Sequence, residues 1–283
     1  MEFKWITDWK SNAVQSGLKK VWMECFNDTQ TYIDFFFENA PENIQVIAGF
    51  ENEMIISAFY LFPCQVKWKE SAGTGEQHTK KAYYLYAGGV LRDYRGNKVF
   101  SGMYQEIFKK AEYESAHIIL YALPEMRPFY EKKGLMYYYD SNEISFALKN
   151  DEQCLPEREE LEAETYEIMR NRRFDKESFV VWDKEMLGYC LKEKRFCGGF
   201  CDILKIENQQ FAIIGEIKDE VMHVEETTIP LELLKLYQSS ILNLYKVSQM
   251  KVRIQTAKNE GKRINAGMGD VPVASLWLSL TLQ

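Results

Sequence analysis

No stretch of the 283-residue sequence holds the run of about 18 apolar residues that a membrane-spanning helix needs. The opening segment, MEFKWITDWK, lacks the basic flank and apolar core of a secretory leader, so the expectation is a cytoplasmic chain with no membrane partner. Positive charge is in short supply. Lysine and arginine number 35 against 42 aspartates and glutamates, a formal charge of −7. A general nucleic-acid binder needs a positive field to displace counterions, which sets nucleic acid aside as the leading partner. Only three histidines occur, His78, His117 and His223. The six cysteines, Cys25, Cys64, Cys154, Cys190, Cys197 and Cys201, are scattered except for the run CGGFC. A structural zinc site needs a full set of soft ligands at suitable spacing, and this pattern does not provide one, so no metal is expected. Two cysteines four apart on a strand share one face, and buried free thiols are the plainer reading.

What is present suits ordinary globular cores. Hydrophobic residues make up 46% and aromatics 14% of a chain with the length of about two average domains. The stretch NAVQSGLKKVWMECFNDTQTYIDFFFENAP has apolar residues at helical intervals broken at NDT, which predicts two helices, the second capped by Asn27 or Asp28. IQVIAGFENEMIISAFYLFPCQVKWK reads as a hairpin turning at ENE, and the polar ESAGTGEQHTKK as an exposed loop. AYYLYAGGVLRD is a strand with Gly88 and Gly89 inside it. KVFSGMYQEIFKKAEYE is a helix with a stripe of Val99, Met103, Ile107 and Phe108. HIILYAL predicts a buried strand, PEMRPFYEKKG a short helix ending at Gly134, and LMYYYDSNEISFAL a closing hairpin around DSNE. The result is a mixed α/β domain over residues 1–150. In the second domain, residues 151–283, a charged linker leads into a helix, and MLGYCLKEKRFCGGFCDILKIENQQFAIIGEI reads as successive antiparallel strands. VMHVEETTI, the helical PLELLKLYQSSILNLYKV and KVRIQTA then repeat the strand–helix–strand order of residues 83–121, and INAGMGDVPVASLWLSLTL matches the closing hairpin of the first half.

The segment VLRDYRGNKVF carries the chemistry. A strand feeding a turn and then a helix presents unpaired N–H groups and the positive end of the helix dipole to an anion. Arg95 and Lys98 add cations for a diphosphate, and Gly96 lets the backbone come close. An ordinary surface turn with two cations explains the same residues equally well.

YLYAGGVLRDYRGNKVFSGMYQEIF resembles the acetyl-coenzyme A (acetyl-CoA) motif of the GCN5-related N-acetyltransferases (GNATs). That motif is an arginine or glutamine, two residues, glycine, one residue, then glycine or alanine. PEMRPFYEKKGLMYYY resembles the family's other signature, an aromatic–tyrosine pair ahead of a glycine. The opening of the chain resembles a bacterial branch with tandem acetyltransferase-like domains, and the likeness covers nearly all of residues 12–148. The resemblance implies a mixed α/β GNAT fold with a second, degenerate GNAT-like copy that lacks the cofactor motif. It also implies transfer of an acetyl group from acetyl-CoA, as cosubstrate, to a primary amine of a small acceptor. By the same resemblance the strand backbone at Val90 and Leu91 pairs with the pantetheine arm, and Arg92 belongs to the cofactor set. So do Arg95, Gly96, Asn97, Lys98, Val99, Phe100 and Ser101. The motif's glycine positions fall on Lys98 and Phe100, and the lysine is expected to adopt helical dihedrals without strain. Tyr130 matches the general acid, a phenol with a reference pKa of about 10 that stays protonated at neutral pH.

The base is not assigned; Glu125, Tyr84 and His117 each have a plainer structural role. In this fold the opening helices, here Trp22 to Phe37, frame the acceptor, and their aromatics and acids would suit a cationic amine, although core packing explains the aromatics more simply. The second half would complete the acceptor cleft or form a subunit interface in a homo-oligomer. The rival reading is a non-catalytic acyl-CoA binder or scaffold, favoured by Lys98 and by the missing second motif.

Overall fold

The computed structural model describes residues 1–69, 77–138, 141–149, 155–254, 262–264, 267–273 and 275–278. The chain begins with β1 (Glu2–Ile6), α1 (Asn12–Cys25), α2 (Gln30–Asn39), β2 (Gln45–Glu51), β3 (Met54–Lys69) and β4 (Gln77–Val90). It continues through α3 (Val99–Tyr113), β5 (His117–Leu120), α4 (Arg127–Glu131), β6 (Met136–Tyr137), β7 (Ser141–Ala147) and β8 (Glu157–Glu160). Then come α5 (Ala163–Phe174), β9 (Phe179–Val181), α6 (Lys184–Phe196), β10 (Phe200–Ile206), β11 (Gln209–Lys218) and β12 (Val221–Thr227). The last elements are α7 (Leu231–Tyr245), β13 (Gln249–Ile254), β14 (Lys262–Ile264) and β15 (Met268–Gly269). Among the described residues no helix is long and apolar enough to cross a membrane.

Two compact units emerge, and neither is a contiguous half. The first comprises Met1–Val66, His78–Tyr137 and Met268–Pro272; the second comprises Lys67–Gln77, Tyr138–Gly267 and Val273–Gln283. The chain therefore leaves the first unit at Tyr138 rather than at residue 150, and a late segment returns to it. The two strands expected to close as a hairpin around DSNE belong to different sheets, and residues 139 and 140 lie outside the described part. β6 pairs with β15, whereas β7 joins the other sheet beside β13 and β14. Among the described residues the C-terminal run supplies β15, inserted between β5 and β6; residues 265–266, 274 and 279–282 of the expected closing hairpin lie outside the described part.

In the first unit the sheet order is β1-β2-β3-β4-β5-β15-β6. β2 and β3 form the expected hairpin, with Asn52 and Glu53 at φ 46° and 67°, the primed-turn geometry that matches strand twist. β4 starts at Gln77, so the end of the expected polar loop, residues 77–81, is strand, and residues 70–76 lie outside the described part. The cap of α2 is Thr29, whose hydroxyl accepts from the Tyr32 N–H at 3.2 Å. Asp28 instead accepts from the Trp22 indole at 2.7 Å. Trp22 of α1 and Tyr32, Phe36 and Phe37 of α2 are core, while Phe35 is half-buried; Trp22 lies 4.6 Å from Phe36 and 5.2 Å from Tyr60, ring to ring. On α3, Val99, Met103 and Ile107 are buried as the stripe requires, but Phe108 is 38% exposed.

The second unit has a sheet in the order β14-β7-β13-β12-β11-β10-β8. β12, α7 and β13 form a parallel crossover, as β4, α3 and β5 do in the first unit. Two readings are corrected here. MLGYCLKEKRF is the helix α6, capped by Asp183, whose carboxylate accepts from the Met186 N–H at 2.8 Å. Cys197 therefore ends a helix, and only Cys201 is on a strand. EREE, taken as linker, is β8, paired antiparallel with β10.

Candidate active site

β4 and β5 pair in parallel from Ala82↔His117 to Tyr84↔Ile119. Beyond that point residues 85–90 and 120–123 line a common cleft of about 650 Å³. The strands part because β4 breaks its pleat. Ala87 stands at φ 47°, and a Cβ on the following Gly88 would lie 2.1 Å from a ring carbon of Phe59. Only a residue without a side chain lets β4 pass over that ring.

After β4 a single 3-10 turn, Arg92–Tyr94, carries the chain to Arg95 and Gly96. The Arg95 guanidinium folds back, with Nε donating to the Val90 carbonyl at 2.9 Å and Nη2 lying 3.7 Å from Cys25 Sγ. Burial pushes the Cys25 thiol up, against the opposing pull of Arg95. Lys98 sits at the N-cap of α3 without a side-chain cap bond, and the first turn of this 15-residue helix, Val99, Phe100 and Ser101, lines the cleft. The lysine does not adopt helical dihedrals. Its φ is 58° and ψ 15°, in the left-handed region that disfavours any residue with a Cβ. Lys98→Gly is therefore expected to stabilise the first unit by about 1 kcal/mol, measured by denaturant unfolding. A loss of stability would contradict this account of the backbone.

Tyr130 lines the same cleft from α4 and is buried, 4% exposed. Burial pushes its phenol well above its ordinary value, with neighbouring Tyr104 adding to the shift, so it keeps its proton throughout the neutral range. The cleft thus joins a helix N-terminus, two cations and a protonated phenol beside a parted strand.

A family model described as an acetyltransferase (GNAT) domain matches residues 12–138. Residues 12–138 are a GNAT domain. Solved structures share the fold over almost the whole chain. One is a conserved protein of unknown function from Enterococcus faecalis V583, described as a probable N-acyltransferase. It is 12% identical, with a TM-score of 0.71 over 95% of this chain and 72% of that one. A GCN5-related N-acetyltransferase from Kribbella flavida is 11% identical, with a TM-score of 0.69 over 95% of this chain and 70% of that one. A third, a GCN5-related N-acetyltransferase from Anabaena variabilis ATCC 29413, is also 11% identical, with a TM-score of 0.69 and coverage of 95% and 72%. No curated protein matches the chain in sequence.

Within the GNAT domain the cleft gathers Val90, Arg95, Gly96 and Lys98, with the first turn of α3 and Tyr130. Three expected cofactor residues do not line it. The Leu91 N–H is bound to the Ile56 carbonyl of β3 at 2.9 Å, so it faces away from the gap between β4 and β5 and cannot pair with a ligand there. The Arg92 N–H is bound to Glu24, and both the Arg92 and Asn97 side chains are exposed outside the cleft. Of the conceivable bases only Glu125 lines the cleft; Tyr84 is core, and His117 pairs with Asp270 at 3.1 Å. The expected acceptor frame contributes Cys25 and Phe26 alone; Tyr32, Phe36 and Phe37 are buried in the core, and Asp34 pairs with Lys19 at 2.6 Å. Sequence reasoning missed Tyr86, Tyr121 and Phe129 in the lining. Tyr86 and Tyr121 follow the last paired residues of β4 and β5, so their signal was the parting of the strands, which no local pattern spells out.

Proposed function

We propose that the GNAT domain transfers an acetyl group from acetyl-CoA to a primary amine of a small acceptor. The observation that carries this reading is the cleft itself, where the parted β4, the open first turn of α3 and Tyr130 meet. Beyond their last shared pair, β4 and β5 leave a gap in which an extended, amide-bearing arm can lie between them. The N–H groups at the start of α3 and the Lys98 ammonium favour a diphosphate at one end. A neutral amine attacks the thioester carbonyl, the C–N bond forms and the C–S bond breaks. The departing sulfur takes a proton from the Tyr130 phenol, whose proton burial retains at neutral pH, and the proton that the amine nitrogen sheds as the amide forms passes to solvent, from which the phenolate is reprotonated. A small, metal-free reaction of this kind fits a cytoplasmic chain, and β12, α7 and β13 are read as the degenerate copy. At the matching point that copy has Pro230 as the helix N-cap and no arginine–glycine turn.

The rival, a non-catalytic acyl-CoA binder, is favoured by Lys98 and Phe100 in the motif's glycine positions. Thiol release from acetyl-CoA, followed colorimetrically with a panel of primary amines, separates the two. Amine-dependent release supports transfer, whereas binding without release with any amine supports the rival.

A further inference from the structure

Tyr130 is enclosed by aromatic rings from two elements. Phe129, beside it in α4, lies at 5.2 Å, and α3 contributes Tyr104 at 5.8 Å and Phe100 at 6.4 Å. All three meet it edge-on, at interplanar angles of 81°, 64° and 69°. Phe100 and Tyr104 are four residues apart on α3 and therefore share one face of the helix. The Tyr104 hydroxyl is buried and has no hydrogen-bond partner among the described residues, so ring packing is what holds it.

Both α3 rings also meet Phe129, Tyr104 at 5.6 Å and Phe100 at 5.2 Å, but of the two only Phe100 reaches β3, with its ring 4.9 Å from Phe59. Phe59 is the ring over which β4 passes at Gly88. Phe100 therefore spans from the floor under the parted strand to the buried phenol, a distance that glycine or alanine at this position has no atoms to cross. We infer that Phe100 is a positioning residue for Tyr130: it is the strut that fixes the angle of the phenol to the cleft, rather than a plug that closes the cofactor path. This rests on the reading of Tyr130 as proton donor. A proton donor must hold its oxygen within hydrogen-bond reach of the leaving atom, and among the described rings that meet Tyr130 only Phe100 also meets a ring of β3. Without the Phe100 ring, the phenol gains room to tilt toward Phe59.

The test is steady-state kinetics of Phe100→Ala, Phe100→Leu, Tyr130→Phe and the Phe100→Ala/Tyr130→Phe double variant. With the strut removed, kcat for Phe100→Ala falls by at least about tenfold, while KM for acetyl-CoA stays within about twofold. Phe100→Leu, which restores bulk, recovers part of the loss. Phe100→Ala has no further effect on kcat once Tyr130 is already Phe, because both changes act through one hydroxyl. Tighter acetyl-CoA binding and faster turnover in Phe100→Ala would overturn the inference and make the ring a plug. An equal loss in both backgrounds would also overturn it and make the ring general packing. Should the unaltered protein turn over no amine, the transfer reading fails separately, and the strut is still read by NMR of labelled tyrosine rings. Phe100→Ala then speeds flipping of the Tyr130 ring at least about tenfold, and an unchanged flip rate overturns the inference.

Discussion

Replacing Tyr130 by phenylalanine is expected to lower kcat for acetyl transfer by about 100- to 10,000-fold, the range for losing a general acid. The affinity for acetyl-CoA should hardly change. The substitution removes one oxygen from a side chain that is 4% exposed and keeps every ring contact with Phe100, Tyr104 and Phe129. A thiolate must otherwise leave unprotonated or take its proton from water, and only the transition state feels that difference. Because burial holds the phenol's pKa above its ordinary value, the group is fully protonated at neutral pH, and its activity should fall only as the pH rises into the strongly alkaline range. Turnover in Tyr130→Phe equal to that of the unaltered protein would remove Tyr130 from the chemistry.

The second large effect lies in the other unit. Arg170 of α5 and Glu226 of β12 are each about 1% exposed and form an ion pair at 2.9 Å. Glu226 also accepts from the Tyr166 hydroxyl and, through its other oxygen, from the Trp277 indole at 2.7 Å. Arg170 donates in addition to the Val180 carbonyl and lies over the rings of Phe174 and Phe179. One carboxylate thus ties α5, the central strand β12 and the segment around Trp277. Arg170→Met keeps most of the volume but leaves the carboxylate buried without its cation, which costs about 3–5 kcal/mol. For a unit of this size that is a fall of about 10 °C in the melting temperature. The double variant Arg170→Met/Glu226→Gln, which removes the stranded charge, is expected to recover part of it. A single variant melting within about 1 °C of the parent would show that the pair does not carry this load.

The Arg95–Gly96 turn was legible in the sequence because its two flanks have different periods. AYYLYAGGV alternates as a strand and VFSGMYQEI recurs as a helix, with arginine and glycine marking the change between them. The backbone of Lys98 was not legible. A glycine there would have announced a positive φ, whereas lysine gives no such sign and the strain shows only in the dihedral of 58°. α6 was misread because its buried residues, among them Met186, Leu187, Tyr189, Cys190 and Leu191, occupy so much of its circumference that no polar stripe marks the helical period. β8 gave no alternation because all four of its residues are exposed, and only pairing with β10 makes it a strand. The strands β7 and β15 carry a different lesson. Turn residues and alternation predict that a strand forms, but which sheet receives it is settled by partners more than a hundred residues away, such as Met250 opposite Phe146 and Met268 opposite Leu120.

The central claim is that the first unit is a working acyl-CoA site despite lysine and phenylalanine in the motif's glycine positions. Calorimetric titration of the full chain with acetyl-CoA at moderate salt, beside coenzyme A and an unrelated nucleotide, tests it most directly. Saturable micromolar binding of acetyl-CoA, with the nucleotide control inert, is the predicted result. No heat of binding up to millimolar acetyl-CoA would contradict it, leaving the fold as a scaffold.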